Sequence, residues 1–181
     1  MIRAGAYITI PAPIFDPAEN LMILEWSPQY QLGISRMDAT HREFVDLLNA
    51  LHDASDEGML AALDALLEHT ADHFAQENRW MELLAFPPAH CHVPEHEGIL
   101  QATREVRDFV VEGKFEVGRV LARELAPWFE NHAATMDNML AVFIQARQYN
   151  PDLPFEAQQL NLSDALPAGA LCDPAECESS K

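Results

Sequence analysis

The chain has 181 residues, 49% of them hydrophobic, which is enough to enclose the core of one domain. Its net charge of −18, from 29 acids against 11 bases, argues against nucleic acid and anionic membrane surfaces, both of which would repel it. An acidic excess suits a protein that holds cations, and it equally suits a merely soluble surface.

No stretch reaches the roughly 20 apolar residues of a membrane span. The N-terminal apolar run is broken by Pro11 and Pro13, so no secretory signal is expected. Cys91, Cys172 and Cys177 are too few and too scattered for a disulfide framework. A cytoplasmic protein is therefore expected, with a monomer favoured.

Residues 1–20 hold three prolines and no helical period, and read as an irregular N-terminal arm. Trp26, Pro28, Tyr30 and Gly33 then form an extended lead-in. A first helix begins near Asp38, and its positions 41, 44, 48 and 51 place His41 in line with Phe44, Leu48 and Leu51. Gly58 ends that pattern. The second helix spans Met59 to Leu84, carrying Leu63, Leu66, His73, Phe74, Glu77 and Met81 inward, and stops before Phe86-Pro87-Pro88.

A third helix starts around His92 to Glu95, with Pro94 tolerable in its first turn, and ends at Gly113. A fourth region runs from Phe115 to Tyr149. There Pro127 is expected to divide a short helix from a long one, because it deletes a backbone hydrogen bond. Four long amphipathic segments joined by short connections predict an all-α, up-down-up-down four-helix bundle over residues 21–150. Residues 151–181 form an acidic, proline-containing C-terminal tail, expected to be mobile or loosely docked.

The chemistry lies on the inward faces of these helices. They bring His41 from the first, His73 and Glu77 from the second, His92 and His96 from the third, and His132 and Asp137 from the fourth. His73–Glu77 and His92–His96 are i, i+4 pairs, which share a helix face. His132 and Asp137 are five apart, about 140° around an α-helix. They are expected to point in different directions, the acid reaching across to bridge. Five imidazoles and two carboxylates are too many for one tetrahedral zinc and fit two divalent ions sharing carboxylates, with iron the natural choice. His69 competes with His73 for the second-helix position. Cys91 could ligate a metal but reads as a loop thiol, and His52 and His90 read as bystanders.

At these residues the chain resembles the hemerythrin family, in its bacterial single-domain form. The resemblance runs from about Leu24 to Asn150. It covers Glu25-Trp26, Gly33, Met37-Asp38-Ala-Thr-His41, His73-Phe74-x-x-Glu77-x-x-x-Met81, Phe86-Pro87, His92-x-x-x-His96 and Trp128-Phe129-x-x-His132-x-x-x-x-Asp137. It implies two non-heme iron ions with an oxo or hydroxo bridge. His92, His96 and His132 would hold one iron and His41 and His73 the other, with Glu77 and Asp137 shared. It also implies reversible binding of dioxygen, with nitric oxide or peroxide as further ligands, at a vacant position beside an apolar pocket of Phe74, Trp128, Phe129 and Ala133.

The function implied is non-enzymatic: storage, delivery or sensing of oxygen. A di-iron peroxidase, oxidase or nitric oxide-consuming enzyme is the alternative, and an iron store or sensor a third. The sequence departs from the family pattern at Thr40, where Gln is common, at Asn78, where a second Glu is usual, and at Ala133, where Ile is frequent. The smaller Ala133 is expected to open the pocket.

Overall fold

A computed structural model describes residues 22–160 of the chain. The N-terminal arm, Cys172, Cys177 and most of the acidic tail lie outside the described residues. Helix α1 spans Ser35–His52, α2 Met59–Leu84, α3 Ala89–Val111 and α4 Phe115–His132. A π-helical turn, Ala133–Asp137, leads directly into α5, Asn138–Ala146. Helix α2 packs on both α1 and α3, and α4 closes the bundle against α1 and α3.

The lead-in before α1 is tied down at both ends. Asn49 donates to the Leu24 carbonyl at 2.8 Å and accepts from its N–H at 3.3 Å. Asp38 accepts the N–H groups of Leu32 at 2.6 Å and Gly33 at 3.1 Å. Gly33 has a φ of 81° there, and a side chain on it would meet the Gln145 amide at 3.1 Å. That turn moves the start of α1 to Ser35, a few residues ahead of the expected Asp38. The lead-in itself tightens into a short 3₁₀ turn at Pro28–Tyr30.

Pro127 does not divide the fourth helix. Both Pro127 and Arg123, whose carbonyl loses its partner, are exposed, so water can satisfy the freed group and α4 continues through the proline. The interruption comes later, at the π-turn. Helix α3 begins at Ala89, earlier than expected, which places His90 and Cys91 in its first turn. Cys91 therefore lies in a helix and not in a loop, and it belongs to neither group of converging donors.

Two apolar clusters fill the bundle. One gathers Phe44, Leu48, Leu51, Met59, Leu63, Leu66, Leu121, Leu125 and Phe129, and the other Met37, Met81, Leu84, Phe86, Leu140, Phe143 and Ile144. Along each helix the candidate ligands fall between these clusters. His41 lies between Met37 and Phe44, His73 and Glu77 between Leu66 and Met81, and His132 and Asp137 between Phe129 and Leu140. The polar layer is thus closed above and below by hydrocarbon. The first residues of the tail fold back, with Gln158 donating to the Asn150 carbonyl at 3.0 Å and Leu160 packed on the second cluster.

Candidate metal centre

All seven candidates meet. His41, Glu77, His96 and Asp137 are 0% exposed, His92 1%, His132 3% and His73 4%. Burying so many polar groups without partners would be prohibitive, yet His41 Nε2, Glu77 Oε2 and both Asp137 oxygens have no hydrogen bond. They face each other instead. His92 Nε2 and His96 Nε2 each lie 3.1 Å from His132 Nε2. Asp137 Oδ1 is 3.2 Å from both His92 and His132, and its Oδ2 is 3.2 Å from His41. Neutral imidazole nitrogens do not hold such separations without a proton or cation between them. Donors on adjacent corners around an ion, each about 2.1 Å from it, lie about 3 Å apart. The arrangement fits metal.

The donors form two groups that share one residue. Glu77, His92, His96, His132 and Asp137 make one, and His41, His73 and Glu77 the other. Glu77 reaches both: Oε1 is 3.2 Å from His73, while Oε2 is 3.5 Å from His96 and 3.7 Å from His92. Glu77 is the shared carboxylate, Asp137 approaches the second group only at His41, and the second group is the poorer in donors.

Asp137 corrects the sequence reading. In the π-turn the backbone bonds run i→i+5, so residues five apart come onto one face. His132 and Asp137 therefore point the same way, at 3.2 Å, where an α-helix would have separated them. His69 is resolved too. It is half-buried, lies 3.1 Å from the Thr40 carbonyl and 3.6 Å from Glu43, and belongs to neither donor group. His69→Ala is expected to leave the bound-ion stoichiometry unchanged, as metal analysis of the purified variant would check.

Surrounding residues aim the imidazoles. The Tyr30 carbonyl faces His41 Nδ1 at 3.3 Å and the Asn78 side-chain oxygen faces His96 Nδ1 at 3.1 Å, so each ring keeps Nε2 free for an ion. Sequence reading passed over Tyr30 in this role, since a backbone carbonyl leaves no mark in residue identity. Phe74 stacks on His96 with centroids 3.8 Å apart, and Trp128 on His132 at 4.6 Å while donating to Glu95 at 2.8 Å. Phe129 stands edge-on to His41 at 5.3 Å and stacks on Phe44 at 4.8 Å. The four expected pocket residues thus divide between the two ends. Ala133 is fully buried in the first apolar cluster.

Burial, helped by the charge of His41, lowers the pKa of His73 to about 3, and burial beside His92 and His132 lowers that of His96 as well. Burial and Asp137 raise Glu77, while for Asp137 itself burial is outweighed by His132, His41 and His92, which lower it. Burial opposes protonation of His41, but Asp137 outweighs it and raises its pKa. An unfolded chain would protonate His73 and His96 as pH falls through 6.5, and the folded one does not, so stability is lost on that side. The pKa values of Glu77 and His41 are raised in the folded chain, so their contributions to stability are lost as pH rises above about 4.5 and 6.5 respectively. Chemical denaturation of the metal-free protein is expected to show a stability maximum near pH 6.5.

A family model described as the hemerythrin HHE cation binding domain matches residues 32–144. The chain belongs to the hemerythrin family. A bacteriohemerythrin of Ralstonia nicotianae is 44% identical over 75% of this chain and 97% of its own length. Bacteriohemerythrins of Aquifex aeolicus, 31% identical over 66% of this chain, and Methylococcus capsulatus, 22% identical over 70%, are matched over 96% and 100% of their lengths. The hemerythrin match thus spans α1 to α4 and most of α5. Among the described residues no helix is long and apolar enough to cross a membrane.

Proposed function

We propose that this hemerythrin-family chain holds two non-heme irons and binds dioxygen reversibly, for storage, delivery or sensing. His92, His96 and His132 hold one iron, His41 and His73 the other, and Glu77 and Asp137 serve both. The unequal division of donors carries this reading: one position is offered five side chains, the other three, with Asp137 reaching toward it through His41. An iron pair supplies two electrons to dioxygen and recovers them on its release.

The protein's own part is to hold and to exclude. Two buried carboxylates offset the charge of two cations that hydrocarbon would otherwise reject. Tyr30 and Asn78 fix the tautomers of His41 and His96. Phe129, Phe44 and Ala133, all buried, keep water from the His41 side, and Phe74 and Trp128 cover the other. Imidazole-rich ligation favours the ferrous state over the acid-rich sites of di-iron oxidases, whose Glu-x-x-His pairs are missing from this donor set.

Metal analysis with optical spectroscopy tests the reading. Two irons per chain and an oxygen-dependent charge-transfer band that disappears on deoxygenation are expected. Reductant turnover faster than autoxidation would move the assignment to a di-iron enzyme.

A further inference from the structure

A cavity of about 330 Å³ opens between α1 and α2 on the side of the donor-poor position. Its walls carry Glu43 and Asp72, with His69 bridging the two helices at the Thr40 carbonyl and lying 3.6 Å from Glu43, and Arg36 is the one arginine or lysine among the lining residues. It is also lined by His73, which is 4% exposed and whose Nδ1 is buried without a hydrogen-bond partner. The walls are thus made of carboxylate and imidazole, side chains that bind divalent first-row metals, and they lead from solvent to a residue we assign as a ligand. A net charge of −18 adds attraction for cations at long range. Among the described residues the groups whose donors converge within 4.8 Å are the two of the centre itself, so the groove is a passage and not a second store.

We propose that this groove is the loading port of the metal centre, through which a divalent cation passes from Glu43, Asp72 and His69 to His73. The inference rests on the metal-site assignment above and is independent of dioxygen binding. Glu43 is 66% exposed at its side chain and Ala39 lies on the outer surface of α1, so changes at either position spare the core.

Stopped-flow loading of the full-length, metal-free protein with Co(II) tests the port. The double variant Glu43→Gln/Asp72→Asn is expected to load about tenfold more slowly at low ionic strength while reaching the same final stoichiometry. The difference should shrink once salt shortens the screening length to about 8 Å. Arg36→Gln should load faster, because a repelling charge is gone. Ala39→Trp, which narrows the groove, should load slowly at any salt concentration. Parental rates in both the double variant and Ala39→Trp would overturn the port. Salt-dependent slowing in a protein that fails to bind dioxygen with iron would support the port and remove the oxygen-binding reading alone. A parent protein that takes up no metal would remove both.

Discussion

Glu77→Ala is expected to lose at least one of two bound irons and to melt close to the metal-free parent. Glu77 is the residue that both donor groups contain, so its removal weakens each position at once. An ion present at about a thousand times its dissociation constant stabilises the fold by about 4 kcal/mol, and losing one forfeits a contribution of that order. The metal-free protein should respond differently. There Glu77 is a buried carboxyl beside Asp137, and its removal relieves a desolvated pair. Melting curves of parent and variant, each with and without a chelator, separate the two effects. Unchanged iron content would contradict the assignment. Asp137→Ala is expected to lose iron likewise, since Asp137 lies 3.2 Å from His41, His92 and His132.

Exchanging Met136 and Asp137 is expected to abolish binding of at least one ion, although the composition is unchanged. In an α-helix position 136 would share a face with His132 at i, i+4 spacing, as Glu77 does with His73. In the π-turn that place belongs to position 137. Deleting the exposed Ala134 should be milder, because it relaxes the turn toward an α-helix and leaves the acid four residues from His132. Metal stoichiometry and circular dichroism of both variants check the expectation. Retained binding in the exchanged variant would show that the turn does not set the acid's direction.

The same turn marks where sequence reading reached its limit. His41 and Glu77 were legible because helical spacing places them in line with Phe44, Leu66 and Met81, residues that bury themselves for their own reasons, and His92 and His96 because their i, i+4 spacing puts them on one face. Asp137 was found as a candidate but misdirected, because 3.6-residue periodicity was carried through a segment that does not obey it. Pro127 was over-read for a related reason. A proline costs a helix only what its freed carbonyl cannot recover, and that depends on whether Arg123 faces water, which is a tertiary fact. His69 and His73 could not be separated by periodicity, one helical turn apart on a single face. Packing separates them: the Thr40 carbonyl engages His69, and the layer between the apolar clusters receives His73.

Phe74 lies parallel to the His96 ring, with 1° between their planes, and Trp128 lies nearly parallel to His132, at 23°. Rings clamped in this way cannot swing aside when an ion departs, so the emptied centre keeps its mould. Such a mould sets the bond lengths it accepts. It would turn away calcium, which wants oxygen donors at about 2.3–2.6 Å, and admit only ions small enough to sit among imidazoles. Discrimination among metals would then be written in the stacking of two aromatic side chains that never touch the ion.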